Sequence, residues 1–221
     1  MDAVLEAFRA EGRALLGIVR ELGADDLGRP TNCPPWNLAE LIVHIADSIR
    51  VGEFRTAPAG TRPREAADYY CRPERGTAEY RDNNVRQAQR AAARLEAGVA
   101  DVLADSLRDA TAALADDDLG RIVEVPRVGP MRLGDWLATR VISLAAHGLD
   151  VALSLDRPPW TTPAAHAVMA PVFRSLLGQD CPAGLGWNEA RVLAVATGRD
   201  RLTDVERDQL GPAAARFPLL S

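Results

Sequence analysis

Apolar residues in this chain recur at the spacing of a helix rather than of a strand, and that periodicity limits the fold more than any other feature. Val4, Phe8, Leu15, Ile18, Val19 and Leu22 make the stripe of a first helix, from about Asp2 to Leu22. A second starts at Asn37, a good N-cap, with Glu40 three residues on as a capping box requires, and continues through LIVHIADSIRVGEF. A third covers about Glu79 to Ala115, with Gly98 as the point where it can break, and a fourth about Leu133 to Leu155, stopped by DRPPWTTP. Between the second and third, TAPAGTRPREAADYYCRPERGT reads as loop or brief helix. Valine, isoleucine and threonine do not cluster in alternating runs, which argues against a large sheet. Only RIVEVPRVGPMRL offers a short strand or hairpin, with Gly129-Pro130 as its turn.

Four long amphipathic helices predict an all-α bundle over residues 1–160, and the interior of such a bundle is a usual place for metal and ligand sites. Residues 161–221 are less periodic. They fit shorter helices at Pro163 to Leu177, Glu189 to Thr197 and Thr203 to Arg216, read as a helical C-terminal extension packed on the bundle. With 221 residues, 47% of them hydrophobic, the chain can bury a substantial core.

Charge and cysteine content narrow the function classes. The net charge is −5, and the arginines are spread among acids, which argues against nucleic acid as a partner. All 26 basic residues are arginine, a bias that points to a GC-rich genome such as an actinobacterium. No apolar run approaches the roughly 18 residues of a membrane span. The N-terminus is amphipathic and acidic-leaning, unlike a signal peptide. Three cysteines at wide spacing suggest reduced thiols in a cytoplasm.

The fourth helix carries an anomaly. Arg140, Ser143, His147 and Asp150 fall within roughly 80° of arc at 100° per residue, among alanines and leucines. A buried helix face has no structural use for such a file. His147 has Asp150 three residues on, and on the second helix His44 has Asp47 three residues on. Neutral imidazole is the commonest metal ligand, and two histidines facing inward can hold a divalent metal if a third ligand completes the set. Asp47 and Asp150 can orient the imidazoles. Arg140 can pair with Asp150 or bind the carboxylate of a substrate.

CPPWNLAELIVHIAD resembles the first signature of the mycothiol-dependent maleylpyruvate isomerase family, within the DinB-like four-helix bundles. RVISLAAHGLDVALSL resembles the second, and VLAVATGRDRLTDVERDQLGPAAARFPLLS is similar to the C-terminal segment of many short members. The resemblance implies a helical bundle that binds a divalent metal, usually zinc, through two histidines and a third ligand from the fourth helix. It also implies mycothiol or another low-molecular-weight thiol as co-substrate, held by the metal as thiolate. His44 matches the first ligand and His147 the last.

The family glutamate four residues before that last histidine is Ser143 here. A hydroxyl is a poor zinc ligand beside imidazole or carboxylate. A water held by Ser143 can take the place. So can another residue, with His166, Glu40, Asp47 and Cys33 as candidates, or else the site has given up its metal. The expectation is therefore a thiol-dependent metalloenzyme, an isomerase or transferase acting on a small organic substrate. Its metal ligands would be His44 and His147, its catalytic residues Arg140, Ser143 and Asp150, and its third-ligand candidate His166. The alternative is a metal-free bundle that binds a small ligand or does acid–base chemistry with a histidine. The sequence leaves monomer and homodimer open.

Overall fold

A computed structural model describes residues 2–220. The first helix, α1, spans Ala3–Val19, and the Asp2 side chain caps it by accepting from the Val4 N–H. A single turn, α2 (Ala24–Leu27), leads to α3 (Leu38–Ser48). The expected capping box is present: Asn37 accepts from the Glu40 N–H at 2.9 Å, and Glu40 accepts from the Asn37 N–H at 3.0 Å. The remaining helices are α4 (Ala78–Ala92), α5 (Val99–Ala115), α6 (Leu133–Ser154), α7 (Pro163–Leu177), α8 (Glu189–Ala196) and α9 (Asp204–Leu210). The strands β1 (Ile122–Val125) and β2 (Gly129–Arg132) form an antiparallel hairpin just before α6.

The bundle is α1, α5, α3 and α6, in that order around the core: α1 packs on α5 and α6, and α3 packs on the same two from the other side. Helix α6 is buried over most of its circumference, so its polar file lies inside the protein. Leu41, Ile45 and Leu137 are fully buried where α3 meets α6, and truncating any one to alanine costs about 2–5 kcal/mol. Helix α7 lies against α1 and α6, and α8 against α6. Phe173, Leu177 and Leu193 of these later helices belong to the same apolar core as the bundle. Among the described residues, no helix is long and apolar enough to cross a membrane.

Three local expectations need correction. Helix α3 stops at Ser48, six residues short of Phe54, and Gly52 and Glu53 beyond it are exposed. The third long helix breaks at the point that Gly98 offered: α4 and α5 are divided by the turn before Gly98, the N-cap of α5. Helix α4 buries only Ala88 and lies on α3 as an outer, polar helix. The hairpin turn is Pro126 to Val128, with Arg127 at φ 65°, whereas Gly129 and Pro130 already pair with Val125 and Glu124. Finally, α9 ends at Leu210. Gly211 (φ 54°) and Pro212 divert the chain into a 3₁₀ turn over Gly211–Arg216, because a residue before proline is driven out of helical geometry.

Candidate active site

The capping box fixes where α3 begins, and the buried faces of α3 and α6 set their register. Together they bring the His44 and His147 rings to 5.2 Å between centroids, at 88° to each other. Trp36, on the connector before α3, stacks on the other face of His44 at 4.5 Å and 32°. Both histidines, Trp36, Arg140, Ser143 and Arg199 line one cavity of about 400 Å³. Burial, then the neighbouring His147 and Arg140, hold the His44 imidazole down to about 3, so it is neutral at physiological pH.

His147 is oriented from behind. Its Nδ1 lies 3.0 Å from Asp150 Oδ2, and the Asp150 side chain is almost completely buried. Arg199 grips the same carboxylate with two bonds, Nε to Oδ1 at 3.0 Å and Nη2 to Oδ2 at 2.7 Å. The Cys33 thiol donates to Oδ2 at 3.2 Å. Burial alone would raise the Asp150 carboxyl, but the hydrogen bonds from His147 and Arg199 outweigh it and hold the group well below the usual carboxylate range. An ionised Asp150 accepts only, so Nδ1 of His147 is the N–H that donates to it, and Nε2 is the nitrogen turned away from the carboxylate. Burial and then the Asp150 charge push the Cys33 thiol up to about 12, which leaves it a protonated structural thiol.

Arg140 is not the partner of Asp150. Ten residues along one helix are about 15 Å of rise, beyond the reach of an arginine fork. Instead its Nη1 donates to the Ser48 carbonyl at 2.8 Å, and Nε and Nη2 donate to Thr139 Oγ1 at 3.1 and 3.0 Å. Its guanidinium lies 4.9 Å from the Tyr69 ring centre and 5.5 Å from that of Trp136. Arg140 is 8% exposed and has no carboxylate partner among the described residues.

The expected residues divide clearly. Arg140, Ser143, His147 and His44 share the cavity, with Asp150 behind His147. His166 does not join them: it sits at a separate cavity near Trp187, with Nε2 3.6 Å from Glu189 Oε2. Glu40 is occupied by its cap. Asp47 is exposed and pairs with Arg50 at 3.5 Å, so it does not orient His44 as Asp150 orients His147. Ser143 Oγ lies 3.4 Å from Ser48 Oγ.

Two groupings can be tested against a metal. Cys33, His147 and Asp150 place their donor atoms within 4.8 Å of one another. Arg199 already neutralises that carboxylate through both oxygens, so a dication there would face a guanidinium. That set does not fit. The His44 and His147 pair does: two imidazoles on one tetrahedral zinc, with bonds of about 2.0–2.1 Å, have ring centres about 5 Å apart. The observed separation is 5.2 Å, and the carboxylate behind Nδ1 of His147 is the usual support of a ligating imidazole. Ser143 is the neutral hydroxyl beside the pair.

Sequence reasoning misses several members of this region. Tyr69 and Arg75, in the 3₁₀ turns Ala66–Tyr69 and Pro73–Gly76, and Tyr70, which caps the first turn, line the cavity. Burial would raise the Tyr69 phenol, but Arg140, Arg75 and Arg72 outweigh it and hold it below its ordinary value. The usable signal was a tyrosine pair followed by two arginines in a segment with no apolar period. Arg199 falls in the tail segment that resembles the family, but nothing there signals its pairing with Asp150.

Comparison with known proteins gives one match. The family model described as mycothiol maleylpyruvate isomerase N-terminal domain matches residues 8–152. No curated protein and no solved structure matches the chain.

Proposed function

The chain belongs to the mycothiol maleylpyruvate isomerase N-terminal domain family, with its all-α, DinB-like fold, and from that membership we propose a thiol-dependent isomerase or transferase acting on a small organic substrate. The co-substrate is mycothiol or another low-molecular-weight thiol, in a cytoplasm that keeps it reduced. His44 and His147 would hold a divalent metal, zinc by their donor type. When bound, the metal supplies the positive charge that keeps the thiol as thiolate.

The chain's own residues supply the rest. Asp150, gripped by Arg199, holds the His147 ring through Nδ1 and so fixes where Nε2 points. Arg140, a buried cation without an acid, offers a two-point anchor for a substrate carboxylate. Ser143 and Ser48 offer hydroxyls to a substrate oxygen or a water. In the isomerase form, the thiolate adds to a conjugated double bond to give an enolate, the resulting single bond rotates, and expulsion of the thiolate re-forms the double bond. No electron is gained or lost overall.

The observation that carries this reading is the 5.2 Å pairing of two inward histidines on a cavity walled by a buried Arg140. The test is zinc content after purification without a metal-affinity tag, together with turnover of an unsaturated organic acid with and without thiol. Zinc near one per chain and thiol-dependent turnover lost in His44→Ala and His147→Ala support it. Absence of zinc after supplementation, with thiol-independent turnover or none, supports the second reading. That reading, a metal-free pocket using His147 as acid or base, is favoured by Ser143 where the family has a glutamate.

A further inference from the structure

A second cavity, of about 340 Å³, shares Arg140 with the histidine cavity but is lined by neither histidine. Four arginines line it: Arg50, Arg72, Arg127 and Arg140. No aspartate or glutamate does, in a chain whose net charge is −5. The other main contributors are aromatic rings, with Phe54 and Trp136 packed edge to face at 5.0 Å and Tyr69 beneath Arg140. We propose that this cavity is a binding site for a small organic anion with a planar body, such as an aromatic carboxylate, distinct from the metal and thiol site.

The charge balance supports the proposal. Arg50 and Arg72 each have an acid nearby, Asp47 at 3.5 Å and Glu74 at 3.4 Å. Arg140 and Arg127 have none among the described residues. For Arg127, exposed at the hairpin turn, solvent suffices. For Arg140, 8% exposed, it does not: a buried guanidinium bonded only to neutral oxygens carries a desolvation cost that an anion relieves. Guanidinium forks match carboxylates in two-point geometry, and planar rings stack on both guanidinium and aromatic faces. The lowered Tyr69 phenol reports the same positive field. Arg140, Ser48, Tyr69 and Tyr80 also wall the histidine cavity, so an occupant here touches the partition between the two.

The site needs neither metal nor thiol, so it is tested by binding alone. Benzoate, its neutral analogue benzamide, and inorganic phosphate are titrated into the full chain by calorimetry at low salt. Benzoate should bind, benzamide should bind at least about tenfold more weakly, and added salt should weaken benzoate. Arg127→Gln, at an exposed turn where folding is not at stake, should weaken benzoate by roughly fivefold or more. Asn84→Ala and Gln87→Ala, which line only the histidine cavity, should leave it unchanged. Phosphate binding as tightly as benzoate would overturn the planar body. No binding of either anion at millimolar concentration, an unchanged affinity in Arg127→Gln, or a loss in Asn84→Ala would overturn the site.

Discussion

Replacing Arg199 by methionine isolates the clamp behind His147. In the parent chain the Asp150 carboxyl lies well below its ordinary value, held there by His147 and Arg199 against burial. The stability it contributes is therefore present above the unfolded carboxyl value near pH 3.9 and is lost as pH falls through the folded value. Without Arg199 the burial remains and the two guanidinium bonds, at 3.0 and 2.7 Å, are gone. A carboxylate whose side chain is 1% exposed is then answered only by the neutral Cys33 thiol and His147. Breaking a buried pair from one side costs about 3–5 kcal/mol. For a chain of this size that lowers the melting temperature by roughly 6–20 °C. The Asp150 carboxyl of the variant moves upward, so its penalty should be smaller at about pH 5 than at about pH 7.5. Asp150→Asn combined with Arg199→Met should recover much of the loss, because no buried charge is stranded. Urea unfolding of the parent, both single variants and the double variant at the two pH values measures all of this. A cost below about 1 kcal/mol for Arg199→Met, the level of a surface pair, or the same cost at both pH values would refute the reasoning.

Three further outcomes follow from other parts of the molecule. Ser143→Glu places a carboxylate on the His147 face and should raise zinc affinity by about tenfold or more in a chelator competition; equal affinities would mean that no third ligand is gained at this position. Arg140→Lys keeps the charge but loses the fork, so it should raise KM for a carboxylate substrate with little change in kcat. Glu11, 1% exposed on α1, accepts from the Thr162 N–H at 2.8 Å, and burial raises its carboxyl above the ordinary value. Its ionised form therefore costs stability at neutral pH. Glu11→Gln should melt higher than the parent at pH 7 and lose that advantage as pH falls to the carboxylate range.

The bundle is legible because its helices bury one face at a regular period. The Leu133–Leu155 reading of α6 differs from the structure by one residue, and that of α7 coincides with it. Where packing does not follow period, the sequence misleads. Helix α4 has only Ala88 buried, so nothing in its pattern separates it from α5 except Gly98. The repeated H-x-x-D pattern picks out the two histidines that meet, yet its two aspartates behave oppositely. Asp150 turns into the core between α6 and the tail, whereas Asp47 is exposed at the edge of the histidine cavity and pairs with Arg50. Spacing alone holds no information about which element will cover a given face. For the same reason the pairing of Arg199 is invisible from sequence: its partner is 49 residues away, across a weakly periodic tail.

That separation also orders events in time. Cys33, His147 and Asp150 precede Arg199 in the chain, and three members of the knot behind His147 exist before the fourth is made. At roughly 5–20 residues per second, a ribosome delivers Arg199 about 2–10 s after Asp150. During that interval the chain carries both histidines and Asp150 but not the cation that answers the carboxylate. A chain abandoned before residue 199 carries both histidines and Asp150 but lacks the guanidinium that grips the carboxylate.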